Sequence, residues 1–259
     1  MRYFIELAYF GKNFHGWQSQ PNAVSVQETI ERALSLLLRK EIALTGAGRT
    51  DTGVNARQMY AHFDIFKEIE DESRFISSLN SLVGRDISIK RLLKVEQESH
   101  ARFDASLRTY KYFVSFSKNP FLKELCWHSP SPLDISIMNE AASLLVSTKD
   151  FTSFAKLHSD VKTNICEVKE AVWKQLKEDK EAHEFLGILN EGIVFTITAD
   201  RFLRNMVRAV VGTLIEVGRG KLSLENFKNI IEARNRCKAG TSMPPQALFL
   251  WQISYPFIS

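Results

Sequence analysis

The feature that most constrains the fold is a strand-first pattern of elements that occurs twice. The run from Arg2 to Tyr9 is rich in aromatic and branched residues and reads as a strand. A polar segment, Gly11 to Asn22, leads to Ser25-Val26-Gln27-Glu28, which has the form of a capping box with both side chains satisfying backbone N–H groups. Ile30, Ala33, Leu34 and Leu37 then follow at helical spacing. Residues 57–66 read as strand, 73–83 as helix and 86–95 as strand.

The second copy begins at Thr109, where a strand to Phe116 places Tyr110, Tyr112, Val114 and Phe116 on one face. Asp134 is positioned to cap a helix carrying Met138, Ala141, Ala142 and Leu145. Strands are expected over 167–176 and 192–199, joined through the charged run Lys177 to Glu181, which reads as a solvated loop or hairpin. A long helix starts near Phe202, a shorter one follows Ser223, and 247–254 returns as a strand. Each half approximates β-α-β-β-α-β, so the expected fold is α+β. It comprises two ferredoxin-like (RRM-like) lobes, 1–105 and 106–259, whose antiparallel sheets flank a central basic cleft.

Composition excludes more than it selects. A chain of 259 residues is long enough to bury a real core, and 44% hydrophobic with 25% charged residues is ordinary for a globular protein. The net charge of +4 is compatible with an anionic partner without specifying one. Cys126, Cys166 and Cys237 are widely spaced and odd in number, which argues against a disulfide framework or a zinc site and for a reducing cytoplasm. No apolar stretch approaches the roughly 20 residues that span a bilayer. The strand-like N-terminus also leaves no signal peptide to be expected.

The most informative segment is Gly46-Ala47-Gly48-Arg49-Thr50-Asp51-Thr52-Gly53-Val54-Asn55-Ala56, a glycine-rich loop between strand-like runs that holds one Arg and one Asp. The plain reading is a tight turn in which Asp51 accepts local hydrogen bonds. Three chemical readings compete with it. A phosphate-binding P-loop needs Gly-Lys-Ser/Thr before a helix, which is absent. An aspartic protease needs two carboxylates sharing a proton, and a single Asp-Thr-Gly would require a symmetric dimer. The third is a lone nucleophilic or acid/base carboxylate kept ionised by Arg49 or another cation. Arg201, Arg204 and Arg208 lie at spacings of three and four, one face of the expected helix, among Leu203, Met206, Val207, Val210, Val211 and Leu214. A helix so apolar elsewhere is expected to be buried, with its arginines turned to a cleft.

Gly48 to Val54 resembles the catalytic motif of the tRNA pseudouridine synthase A family. The likeness continues, in order, through Phe14-His15-Gly16-Trp17-Gln18, Ser25 to Glu28, His100-Ala101-Arg102-Phe103, Arg108 to Tyr112, Asp150 to Phe154 and Met206-Val207-Arg208. It spans nearly the whole chain. The resemblance implies a pseudouridine synthase fold, a homodimer, no cofactor and no metal. It also implies isomerisation of uridines 38, 39 and 40 in the anticodon stem-loop of tRNA. Asp51 would be the catalytic carboxylate, with attack at C6, attack at C1′ and a glycal intermediate all left open.

By the same resemblance Arg49 flips and stabilises the base, Tyr110 stacks on it, and Arg208 pairs with the catalytic Asp. His100, Arg102, Phe103, Arg204 and Lys162 fall in segments that contact RNA. Periodicity alone would make Tyr110 a core aromatic, and the lysine and arginines ordinary solvated cations. Asn55 stands where the family commonly has His, and Arg204-Asn205 replaces a His-containing pair. A non-catalytic RNA-binding protein on the same scaffold is the competing function.

Overall fold

A computed structural model describes residues 1–157, 162–189 and 191–258. The chain divides into two compact units, Met1–Leu107 with Leu250–Ser259, and Arg108–Phe249. Both are mixed α+β with antiparallel-dominated sheets. No helix among the described residues is long and apolar enough to cross a membrane.

The first unit runs β1 (Arg2–Tyr9), α1 (Val26–Leu38), β2 (Thr45–Gly46), β3 (Asn55–Asp64), α2 (Glu72–Leu82) and β4 (Ile87–Val95). β1 lies between β3 and β4, antiparallel to both, and β2 adds to β3. Alternation sorts β1 into two faces. Tyr3, Ile5 and Leu7 are fully buried with Met59, Ala61 and Phe63. Each such side chain contributes roughly 1.5–3 kcal/mol of burial. Phe4 and Glu6 point the other way, beside His62 and Tyr60.

Ser25 caps α1 by accepting the Glu28 N–H at 3.2 Å, and Asp71 caps α2 from Arg74 at 2.8 Å. The Asn80 side chain clips α2 to β4, donating to Ile89 O at 2.9 Å and accepting from Ile89 N at 2.8 Å.

Two register shifts mark this sheet. Leu7 faces Met59 and Tyr9 faces Ala56, so Ala8 is opposed by both Arg57 and Gln58. On the other side Glu6 faces Arg91 and Leu7 faces Ile89, which makes Lys90 an extra residue in β4. Bulges of this kind re-aim side chains and strengthen local twist.

In the second unit β5 (Leu107–Ser115) carries β6 (Trp127–His128) in parallel, and α3 (Ile135–Ser147) follows. β7 (Val168–Gln175), α4 (Lys180–Phe185) and β8 (Gly192–Ala199) come next, with β8 antiparallel to both β5 and β7. Asp134 caps α3, whose Met138, Ala141, Ala142 and Leu145 are fully buried as the periodicity predicts. Asn139 repeats the clip of the first unit, bonding both backbone groups of Trp173.

The charged run between β7 and β8 is solvated as expected, with Lys177, Glu178, Lys180 and Glu181 exposed, but it is helical rather than a loop or hairpin. Leu176–Glu178 forms a 3-10 turn and Lys180–Phe185 a short helix, with Leu176, Ala182, Leu186 and Leu189 buried. Asp179 caps this helix at Ala182 and pairs with Lys111 Nζ at 2.5 Å. Apolar residues spaced through the run supply the burial that its charges obscure.

α5 spans Met206–Gly218 and α6 spans Leu224–Ala233. The expected start of α5 near Phe202 is corrected: Asn205 adopts a left-handed conformation, φ 66°, and the helix begins after it. Arg201 and Arg204 therefore precede the helix, and only Arg208 of the expected stripe lies on it. A left-handed residue cannot continue a right-handed helix, and Asn is among the residues that tolerate it best. The rest of α5 is nearly all buried, as its composition predicts. β9 (Leu248–Ser254) closes the chain beside β3, where Gln58 Oε1 accepts the Ile253 N–H at 3.0 Å.

Candidate active site

The loop from Gly46 to Asn55 is held from beneath by the segment that follows β1. Gly11 donates its N–H to Asn55 Oδ1 at 2.7 Å, and Asn55 is buried. A methyl group on Gly11 would meet the Val54 carbonyl oxygen at 2.1 Å, so only glycine lets these backbones touch. Gly16, at φ +90°, brings its backbone against the Thr50 carbonyl, where a Cβ would lie 2.4 Å away. Trp17 N–H donates to Thr50 O at 3.4 Å, and Gly53 N–H donates to Phe14 O at 3.3 Å. Below Thr50 a buried hydrogen bond of 2.8 Å joins its hydroxyl to that of Tyr9. Both flanks of Asp51 are thus fixed to the body of the unit, and Val54 N–H donates to Asp51 O at 3.1 Å.

Asp51 is half-buried in this frame, and Arg49, two residues earlier, is exposed. The Phe14–Gln18 motif is legible in the sequence, but its work of clamping the Asp51 loop is not. Tyr9, Gly11 and Thr50 give no functional signal there at all. Asn55, where the family commonly has His, ties the loop to Gly11 through its side-chain carbonyl.

At His100–Phe103 the backbone curls around a ring. His100 Nδ1 accepts from Arg102 N at 3.1 Å and from Phe103 N at 3.3 Å, while Asp104 accepts from His100 N at 2.7 Å. The imidazole therefore has a structural duty, and its pKa is lowered chiefly by burial. His62 backs it edge-on at 4.7 Å and accepts the Ala101 N–H through Nδ1 at 3.1 Å. Burial first, then the nearby charges of Arg2 and His100, pushes the His62 pKa down to about 4. Phe103 is 74% exposed, an aromatic presented to solvent rather than to a core, and Arg102 lies over its ring at 5.6 Å.

On the second unit, Tyr110 is half-buried on β5, with Phe202 edge-on at 5.0 Å. Its neighbour Tyr112 is fully buried and donates to Pro244 O at 3.1 Å. Tyr110 and Tyr112 share one face of β5, which is fully buried at Tyr112 and only half-buried at Tyr110. Arg208 is clamped at the start of α5: its Nε donates to Met243 O at 2.6 Å, and Met243 N–H returns to Arg208 O at 3.0 Å. Arg204 is exposed in the segment before the helix, with its carbonyl accepting from Lys156 N. Lys162 is exposed, and His158 to Val161 of its motif lie outside the described residues. Among the described residues, no three His, Cys, Asp or Glu side chains assemble as a metal site would require.

A family model described as tRNA pseudouridine synthase matches residues 141–256. A protein named tRNA pseudouridine synthase A from Parabacteroides distasonis is 52% identical over 257 residues, covering 98% of this chain and 96% of that protein. The chain belongs to the tRNA pseudouridine synthase A family. A tRNA pseudouridine synthase A of Bacteroides fragilis is 53% identical over 255 residues, at 98% and 96% coverage. One from a Thermoanaerobacter species is 38% identical over 253 residues, at 97% and 98% coverage. The alignments with these relatives take in both units and so include the Asp51 loop, Tyr110 and Arg208, of which the family model itself reaches only Arg208.

Proposed function

We propose that this protein converts uridine to pseudouridine in tRNA, at positions 38, 39 and 40 of the anticodon stem-loop, with Asp51 as the catalytic carboxylate. The observation that carries the reading is the clamped loop: a half-buried carboxylate is held by glycine-dependent backbone contacts, in a chain of this family. In the reaction the N1–C1′ bond breaks, the uracil turns, C1′ bonds to C5, the C5 proton leaves and N1 takes up a proton. A base in a stem must first be extruded, which costs a few kcal/mol.

Arg49, exposed beside Asp51, suits that step. Tyr110 offers a ring to stack on the uracil, and Arg208 a cation of fixed orientation for the anionic site. His100, Arg102, Phe103, Arg204 and Lys162 are assigned to RNA contact; of these, Phe103 is the side chain best presented for base stacking. No cofactor is required by this chemistry. Each unit is read as a ferredoxin-like lobe, which the β-α-β-β-α-β order from β1 to β4 supports. A homodimer is read from the resemblance, and the tRNA substrate implies work in the cytoplasm.

The test uses purified protein and an unmodified tRNA transcript tritiated at uridine C5, without ATP or added metal. Tritium release that disappears in Asp51→Asn while tRNA binding persists supports the proposal. Binding without release by the wild type would leave an RNA-binding protein in its place.

A further inference from the structure

The two bulges in the first unit each bring an additional cation to one face of the sheet. Arg57 enters through the shift opposite Ala8, and Lys90 through the shift between Glu6 and Leu7. They meet there: Lys90 Nζ donates to the Arg57 carbonyl at 2.8 Å, and the Arg57 guanidinium lies 4.6 Å from the ring centre of the buried Trp251.

The nearest carboxylate, Glu6, acts on Lys90 through its charge but is bound elsewhere. Glu6 is taken by Arg91 at 2.5 Å and by the Tyr60 hydroxyl at 2.8 Å. Among the described residues, neither Arg57 nor Lys90 forms an ion pair, and the Arg57 guanidinium makes no hydrogen bond. Burial, with the charge of Arg57 adding to it, lowers the Lys90 pKa although Glu6 opposes the shift. Two separate irregularities thus place two cations together, and an anion bound between them would be attracted to both. The guanidinium plane is fixed by stacking, and the ammonium keeps two N–H donors, a donor set that matches a phosphodiester.

We infer that Arg57 and Lys90 form a binding site for a backbone phosphate of the tRNA, separate from the residues assigned above. This rests on tRNA being the substrate. A phosphate contact positions the RNA without reading its bases. The site opens directly off the Asp51 loop, since Arg57 is the second residue after Asn55 in β3, so it would fix where the backbone runs as it leaves the reacting nucleotide.

The experiment measures affinity of the full-length protein for an unmodified tRNA transcript across a series of salt concentrations. Lys90→Gln and Arg57→Gln are each expected to weaken binding by about fivefold, and to reduce the slope of log K against log salt by roughly one. Lys94→Gln is the control, a cation of the same strand already paired with Glu68 at 2.5 Å, and should leave the slope unchanged.

If Arg57→Gln fails to fold by circular dichroism, Lys90→Gln decides alone. Unchanged affinity and slope in a folded Lys90→Gln protein, with the wild type binding and releasing tritium, overturn the phosphate site and leave the functional reading standing. A wild type that does not bind tRNA overturns both.

Discussion

Replacing Gly11 by Ala tests whether the segment under the Asp51 loop governs catalysis. The new methyl carbon would sit 2.1 Å from the Val54 oxygen and 2.6 Å from its carbonyl carbon. Carbon–oxygen contacts of this kind settle near about 3.3–3.6 Å, so the two backbones must part by more than about 1 Å. Both sides are backbone, and no side chain can rotate away to absorb the change. The 2.7 Å bond from Gly11 to Asn55 stretches with it, and the loop bearing Asp51 shifts.

Overpacking of this size destabilises by about 1–3 kcal/mol, whereas misplacing a reacting group by about 1 Å lowers its rate by roughly 100-fold. The expected result is a folded protein whose kcat for tritium release falls by about 100-fold, with tRNA affinity within about twofold of wild type. Gly84→Ala is the reference. Gly84 sits at φ +80° with open space around it, so the substitution should cost about 1 kcal/mol of stability and nothing in kcat. A Gly11→Ala enzyme that melts lower but turns over at the wild-type rate would refute the coupling.

Gly48 has nothing within 4 Å of an added Cβ, so Gly48→Ala should keep stability within about 0.5 kcal/mol. If the space over Gly48 belongs to the nucleotide, turnover should still fall by roughly tenfold or more, and wild-type turnover would show the space to be idle. His62 has its folded pKa pushed to about 4 from the ordinary 6.5, so the unfolded chain takes up a proton first. Stability is then complete above pH 6.5 and declines as pH falls toward 4, by up to about 3 kcal/mol, and His62→Gln should flatten that interval in urea titrations. Lys111 and Asp179 are 7% and 12% exposed at the side chain. Lys111→Met alone should destabilise by about 3–5 kcal/mol, while adding Asp179→Leu should recover all but about 1 kcal/mol, the share of the lost cap. Equal losses in the single and double variants would contradict that account.

Periodic segments were readable because burial imposes their spacing. α3, with every predicted core residue fully buried, and β8, predicted and observed over the same eight residues, are examples. The arginine stripe misled because counting at three and four assumes an unbroken helix, and one left-handed Asn205 removes two of its three members. α4 was hidden because Ala182 is its one buried residue, with the buried Leu176 and Leu186 lying outside it on either side of the charges. The Asp51 loop announced itself through its glycines and motif, but its clamp depends on contacts 41 residues apart for Tyr9 and Thr50 and 44 apart for Gly11 and Asn55. The bulges at Arg57 and Lys90 have no local sequence signature, since register is a property of paired strands.

The return of Leu250–Ser259 to the first unit has a consequence for how the protein is made. β9 lies beside β3, and Tyr255 donates its hydroxyl proton to Ala101 O at 2.5 Å, so the first unit is completed by a segment that follows the whole of the second. The second unit, a continuous insertion, emerges from the ribosome whole and is free to fold first. Meanwhile the part of the β3 edge that β2 leaves open waits for β9 for on the order of ten seconds of elongation. The nascent protein therefore keeps part of a strand edge open, in the strand that follows the loop bearing Asp51, until β9 has been made.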